Sequence, residues 1–305
     1  MTPADWETTG RGWPNRDASQ FLRAGLTDWH VQRMGQNEGK APVMLLLHGA
    51  GAATHSWRDL MPMLARTHDV IAPDLPGHGF SRAPAGTTST LPGMANEITA
   101  LLAAMDAHPN IIVGHSAGTA IALEMVLSEP TRPDKTTPHT IIGLNAALAP
   151  FRGLAGVLFP PMAKMLALNP LAPWAFSHMA GWSGQARRLI EGTGSRITPE
   201  GLGFYARMLA TPRHVSGALA MMAHWDLEPM LDRLSKLAVP LELIVGSGDK
   251  AVPPDEAARL AARYSQITLH KNEGLGHLMH EEEPERFASM ITALAAEAST
   301  IHPGS

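Results

Sequence analysis

Short, unbroken apolar runs alternating with helical stretches constrain this chain most. Val43 to Leu47 is one such run, closed by His48-Gly49. Val70 to Ala72 ends in Pro73-Asp74, and Ile111 to Val113 runs straight into Gly114. Thr140 to Leu144, Leu241 to Val245 and Ile267 to Leu269 follow. Continuous apolar runs of this length read as strands buried on both faces, which occur in parallel sheets covered by helices. Between them, Asn96 to Met105, Ala117 to Leu127 and Arg286 to Ala296 carry helical spacing. The alternation predicts an α/β protein with a mainly parallel, doubly wound sheet. Ahead of it, Ser19 to Ala24 and Trp29 to Met34 read as two strands joined by a turn at Gly25-Leu26-Thr27-Asp28, after an irregular arm around Gly12-Trp13-Pro14-Asn15.

The alternation breaks between about Pro150 and Leu234. This stretch is helical in flavour and rich in methionine, tryptophan and proline. An insert between two sheet strands is best placed as a cap over the strand ends. The expected division is therefore a core of residues 1–149 and 235–305, with a helical cap at 150–234. The cap holds Met162, Met165, Met179, Met208, Met221, Met222 and Met230, with Trp174, Trp182 and Trp225. Packing accounts for most of these; an apolar pocket roof, suited to a large apolar small molecule, is the sharper reading.

Gly114-His115-Ser116-Ala117-Gly118 matches G-x-S-x-G between a strand and a helix, the context that gives the pattern meaning. A serine hydroxyl is a weak nucleophile until a base takes its proton. A tight strand-to-helix turn exposes its oxygen above the sheet, and Gly114 and Gly118 leave room for that turn. After the strand Leu241 to Val245 comes Gly246-Ser247-Gly248-Asp249, and after the last strand Gly274-Leu275-Gly276-His277. Ligands of α/β sheets bind at these strand C-termini. The expected set is Ser116 as nucleophile, His277 as base and Asp249 as the acid that orients it. Asp249 as a plain turn former and His277 as a surface loop residue are the bland alternatives. After the preceding strand stands Asn145, which cannot act as a carboxylate and so favours Asp249.

Acyl transfer also needs fixed N–H donors for a developing oxyanion. His48-Gly49-Ala50-Gly51-Ala52 follows the first buried strand. The donors expected are Ala117 and either Ala50 or Gly51, with His48 shaping the loop. Asp74-Leu75-Pro76-Gly77-His78-Gly79 reads as a structural turn. His280 competes with His277 and is expected to start the following helix. His277-x-x-His280 has the look of a metal pair, but no third ligand accompanies it, so neither metal nor cofactor is expected.

These segments resemble the α/β-hydrolase superfamily over nearly the whole chain, and imply the α/β-hydrolase fold with a cap insertion. Gly12-Trp13-Pro14-Asn15-Arg16, Gly192-Thr193-Gly194-Ser195 and Met222-Ala223-His224-Trp225-Asp226-Leu227 are more particular. They look like the BchO proteins, magnesium-chelatase accessory proteins of bacteriochlorophyll biosynthesis. That resemblance implies a role near magnesium insertion into a porphyrin, magnesium chelatase subunits as partners, and a cytoplasmic place near the photosynthetic membrane. An elbow serine and a single cap tyrosine, Tyr205, set the chain apart from the aspartate-nucleophile dehalogenases and epoxide hydrolases of this fold.

Composition trims the alternatives. A net charge of −4 gives no footprint for nucleic acid. There is no cysteine, hence no disulfide or thiol chemistry. The first residues lack the apolar core of a signal peptide, and no run of about 18 apolar residues predicts a membrane span. The closest approach to a phosphate-binding loop, Gly35 to Lys40, is one residue short and followed by Ala41, so ATP hydrolysis is not expected.

Overall fold

The computed structural model describes residues 3–35, 41–128, 138–149 and 184–301. Eight strands form one sheet: β1 (Ser19–Ala24), β2 (Thr27–Met34), β3 (Val43–Leu47), β4 (Asp69–Pro73), β5 (Ile111–His115), β6 (Thr140–Leu144), β7 (Leu241–Gly246) and β8 (Ile267–Asn272). Their spatial order is β1-β2-β4-β3-β5-β6-β7-β8. β1 and β2 pair antiparallel, as do β2 and β4; every later pairing is parallel. The mainly parallel sheet expected from the apolar runs is therefore present, with a hairpin on one edge.

The strand side chains alternate between two cores. Leu45, Leu47, Ile71, Ile112, Ile141, Leu243 and Val245 share one cluster. Met44, Leu46, Val70, Ala72, Val113, Ile142 and Ile244 share the other. Period-two alternation puts both sets in the dark, which is why these strands read as unbroken apolar runs. Helices α3 (Leu91–Ala104) and α4 (Ala117–Ser128) cover the first face, and α2 (Leu60–Leu64) and α11 (Pro284–Ile301) the second. α1 is the short arm helix Pro3–Thr8.

The β1–β2 turn is tighter than expected. Ala24 pairs with Thr27, so only Gly25 and Leu26 lie between, with Gly25 at φ 58°. Glu97 of α3 pins this hairpin, accepting from Leu26 N at 3.0 Å and from Thr27 Oγ1 at 2.6 Å.

The described part of the cap region contains α5 (Gln185–Gly192), α6 (Pro199–Leu209), α7 (Pro212–Ala223) and α8 (Glu228–Leu231). Past it come α9 (Pro254–Arg263) and α10 (Met279–Glu282). Met162, Met165, Met179, Trp174 and Trp182 lie outside the described residues. Met221 and Met230 are buried in the main core, and Met208 is buried against Trp13, Phe80 and Phe204. These three methionines fill packing space in the buried clusters.

Two of the three finer sequence signatures have structural work to do here. Trp13 is buried, donates from its indole nitrogen to Thr54 Oγ1 at 3.0 Å and meets Phe80 edge-on at 4.8 Å. It seats the N-terminal arm on the loop after β3. Leu227 buries its side chain in the main core while Asp226 accepts from Glu228 N at 3.1 Å to open α8. Among the described residues, no helix is long and apolar enough to cross a membrane.

Candidate active site

The residues singled out from the sequence all lie past strand C-termini on one edge of the sheet. Ser116 follows β5, Asp249 follows β7, His277 follows β8, and Ala50-Gly51 follow β3.

Ser116 sits at φ 52°, in the left-handed region that costs a non-glycine residue about 1–2 kcal/mol. Its backbone N–H donates to Leu144 O at 2.9 Å, which fixes the turn on the neighbouring strand. A Cβ on Gly114 would lie 2.4 Å from Thr119 N, and one on Gly118 would lie 2.1 Å from Leu47 O. Both positions of the elbow therefore exclude a side chain, as its sequence pattern required.

His277 and Asp249 meet. His277 Nδ1 lies 2.7 Å from Asp249 Oδ2, with the carboxylate side chain fully buried. The other oxygen, Oδ1, accepts from Ala251 N and Val252 N, both at 2.8 Å. An ionised carboxylate so fixed makes Nδ1 the donor, which leaves Nε2 with its lone pair facing outward. That is the tautomer a general base needs. The Ser116 hydroxyl makes no hydrogen bond to His277 among the described residues. The connection between them runs through His115, whose Nε2 donates to His277 O at 2.9 Å and whose ring lies 4.7 Å from that of His277. Burial, with smaller contributions from the neighbouring imidazoles, holds His115 well below its ordinary pKa, so it stays neutral.

The loop after β3 lies against the elbow. A Cβ on Gly49 would sit 3.0 Å from Ser116 Cβ. His48 is fully buried; its Nδ1 donates to Gly49 O at 2.8 Å and its Nε2 accepts from Leu75 N at 2.9 Å. It shapes the loop, as expected. Ala52 N donates to Gly49 O at 3.2 Å, while the N–H groups of Ala50 and Gly51 make no backbone hydrogen bond among the described residues. Ala117 opens α4, where the first N–H groups have no helical partner. The turn after β4 is structural: Asp74 accepts from Thr54 N at 2.7 Å and Phe80 N at 2.8 Å and pairs with His30 at 2.7 Å. Burial works to raise the Asp74 carboxyl, but the His30 imidazole and these donors outweigh it and hold the group well below the usual carboxylate range.

His280 is the second residue of α10 and is buried. Its Nε2 donates to Ser56 Oγ at 2.9 Å, and Ser56 in turn donates to Glu281 Oε1 at 2.7 Å. Tyr205 of the cap reaches the same oxygen at 2.6 Å, and Arg58 pairs with the other. His280 thus belongs to a buried network that joins α6 and α10 to the segment between β3 and α2.

The positioning roles of three groups were not visible in the sequence. Asn145, at φ 45°, donates from Nδ2 to Gly276 O and His277 O, each at 2.9 Å, and accepts from Gly246 N at 2.8 Å. One amide thus ties the loop of Asp249 to the loop of His277. Its place after a strand C-terminus was the available signal. His214 of α7 donates from Nε2 to Gly51 O at 3.1 Å and accepts at Nδ1 from Gly79 N at 2.9 Å, with its pKa lowered by burial to about 4. The third group is the cap segment Thr193-Gly194-Ser195. It passes between the two loops: a Cβ on Gly194 would lie 2.1 Å from Gly248 O, and one on Gly276 would lie 2.4 Å from Gly194 C. Ser195 Oγ accepts from Leu278 N at 2.8 Å, and Thr193 O accepts from Lys250 N at 3.0 Å.

A fold of this topology, with its elbow and loops gathered at one sheet edge, defines the alpha/beta hydrolases. The family model of that description matches residues 44–290, and the chain belongs to this family. Within it, the chain is 40% identical over 279 residues to the magnesium-chelatase 30 kDa subunit of Rhodobacter capsulatus, covering 92% of this chain and 95% of that one. Solved structures share the fold at lower identity. A thermophilic esterase from Thermogutta terrifontis is 21% identical with a TM-score of 0.71, over 92% of this chain and 99% of its own. The enol-lactonase from Burkholderia xenovorans is 18% identical with a TM-score of 0.69, over 90% and 98%.

Proposed function

We propose that this chain is a serine hydrolase that serves as an accessory to magnesium chelation in the bacteriochlorophyll pathway, acting on an ester or acyl bond of a large apolar substrate such as a porphyrin. The pathway assignment rests on the 40% identity to the chelatase 30 kDa subunit, with magnesium chelatase subunits as partners. The chemistry rests on one observation above others, the buried 2.7 Å contact between Asp249 and His277 beside a serine elbow.

In this reading Ser116 Oγ attacks the substrate carbonyl carbon while His277 Nε2 takes its proton. Negative charge gathers on the carbonyl oxygen, which accepts from Ala117 N–H and from Ala50 or Gly51 N–H. Collapse of the tetrahedral species breaks the ester bond, and the imidazolium returns the proton to the leaving alcohol. Water then repeats the sequence to release the acid and restore the serine. Asp249 holds the ring and stabilises its charge. Catalytic hydrogen bonds often tighten only when substrate binds, so the missing Ser116–His277 contact is compatible with turnover.

That missing contact also favours a second reading, in which the fold binds or hands over a tetrapyrrole without cleaving it. A fluorophosphonate probe and the Ser116→Ala variant separate the two. Labelling of folded protein at Ser116, with loss of pigment when Ser116→Ala replaces the natural chain, is the hydrolase result. An unlabelled serine with full pigment from Ser116→Ala overturns it in favour of binding.

A further inference from the structure

Helix α7 carries a buried imidazole whose two hydrogen bonds end on different loops of the sheet edge. His214 is 1% exposed. Its Nδ1 accepts from Gly79 N at 2.9 Å, in the turn after β4, and its Nε2 donates to Gly51 O at 3.1 Å, in the loop after β3. A backbone N–H can only donate, so Gly79 settles the tautomer: Nδ1 keeps the lone pair and Nε2 carries the proton. The turn that sets this direction is itself held. Asp74 Oδ2 accepts from Phe80 N at 2.8 Å, and a Cβ on Gly79 would lie 2.2 Å from that same oxygen. Helix α7 meets the turn almost backbone to backbone, since a Cβ on Gly217 would lie 2.0 Å from Gly77 O.

Gly51 O is one end of a chain of peptide planes. In a trans peptide the N–H points opposite to the C=O of the same plane, and the plane turns as one piece. The plane shared by Gly51 and Ala52 is gripped at both ends. His214 holds its carbonyl, and its N–H, that of Ala52, donates to Gly49 O at 3.2 Å. Gly49 O also accepts from His48 Nδ1 at 2.8 Å, so the plane shared by Gly49 and Ala50 is fixed in turn. The Ala50 N–H then points away from His48 and from Ala52 N. Gly51 lies at φ 75° with nothing within 4 Å of where a Cβ would be. Hydrogen bonds to its backbone, not packing of a side chain, set the conformation of the loop there.

We propose that His214 is a positioning residue for oxyanion stabilisation, acting through Gly51 and Ala52 to fix the direction of the Ala50 N–H. The inference rests on the hydrolase reading above, in which that loop receives the developing charge. A donor held in place before the reaction needs no reorganisation as charge appears. Loss of the bond from His214 to Gly51 O should therefore weaken the reacting step more than the binding that precedes it. The second bond, to Gly79 N, serves to hold the ring in the required tautomer. The proton on Nε2 is what the loop needs, and α7 is the element that delivers it.

The test pairs two variants of the full chain, each keeping one of the two bonds. His214→Gln places an amide nitrogen near the Nε2 position, so it keeps the donor to Gly51 O and loses the acceptor for Gly79 N. His214→Asn places an amide oxygen near Nδ1 and does the reverse. Both are checked for folding by circular dichroism and reacted with a fluorophosphonate at increasing concentration. Its phosphoryl oxygen takes the place of the substrate carbonyl oxygen as Ser116 Oγ bonds to phosphorus and fluoride leaves. His214→Asn should label about tenfold or more slowly at saturating probe, with little change in the half-saturating concentration. Its Ala52 N–H should also exchange with deuterium at least about tenfold faster, as read by NMR. His214→Gln should keep most of the natural labelling rate and exchange. A side chain that only stabilised the fold would lose one bond in each variant and slow both alike. The inference fails if the two folded variants label and exchange alike, or if His214→Gln is the slower. A natural chain that is not labelled at all overturns the hydrolase reading instead. Faster Ala52 exchange in His214→Asn alone then still supports control of the loop by His214, and equal exchange refutes it.

Discussion

Replacing Asn145 tests the idea that one amide aligns the loops that carry Asp249 and His277. Its side chain makes three hydrogen bonds of 2.8–2.9 Å, all in the interior. At a net value of about 1 kcal/mol each, losing them costs about 3 kcal/mol. His277 O keeps the bond from His115, but Gly246 N–H is orphaned. Asn145→Ala, which keeps the Cβ already held at φ 45°, should therefore cost about 3 kcal/mol. Asn145→Gly loses the same bonds but relieves about 1–2 kcal/mol of left-handed strain, for a total of about 1–2 kcal/mol. Asn145→Asp keeps the acceptor for Gly246 N but turns a carboxylate oxygen on two carbonyl oxygens. At neutral pH it should be the least stable of the three. That buried carboxyl would have a raised folded-state pKa, so the folded protein would bind the extra proton first. The deficit of Asn145→Asp relative to Asn145→Ala should then shrink as pH falls from about 7 to 5. Urea unfolding with a common slope measures all of this. If Asn145→Asp at neutral pH is as stable as the natural chain, the assignment of donor and acceptor around Asn145 is wrong.

Three further outcomes follow from the same geometry. Gly194→Ala, whose new carbon meets Gly248 O at 2.1 Å at φ 87°, should lose about 2–4 kcal/mol in a thermal melt, while Gly51→Ala, strained at φ 75° but with nothing within 4 Å, should lose only about 1–2 kcal/mol. Glu281→Ala leaves the buried Arg58 guanidinium with Asp59, at 3.1 Å, as its remaining carboxylate and should cost about 3 kcal/mol by urea unfolding; Glu281→Gln, which keeps hydrogen-bond acceptance from Tyr205, should recover part of that. The His214 pKa is depressed to about 4, so the neutral ring's contribution is fully present above the unfolded value of 6.5 and drains away as pH falls toward 4, by roughly 3 kcal/mol in all. His214→Gln should flatten that part of the stability–pH curve, and an unchanged slope would contradict the burial argument.

The sequence made the sheet legible because both its faces are buried. Leu45 and Leu47 go to one core and Met44 and Leu46 to the other, so the run Val43 to Leu47 needs no alternation and stands out as continuous. The elbow was legible for a steric reason, since Gly114 and Gly118 fill positions where a methyl group would strike Thr119 N and Leu47 O. Asp249 and His277 could be picked out as residues in glycine-flanked loops just past strands. Partners across the fold were not legible. Nothing in the spacing of Asn145 or His214 indicates which carbonyl each would reach, because those contacts span 132 and 163 positions. Of the apolar residues between Pro150 and Leu234, Met208, Met221 and Met230 fill buried clusters, as the packing reading held for most of them.

The passage of Thr193-Gly194-Ser195 between the acid and base loops has a consequence for evolution and engineering. An insertion of this kind is usually treated as a detachable lid, exchangeable to alter selectivity. Here three of its residues are wedged into the machinery beneath, so excising the insertion would also release the loops that carry Asp249 and His277. A chimaera drawing its roof from another family member should work only if this strap, and the glycines it touches, are transplanted as one piece.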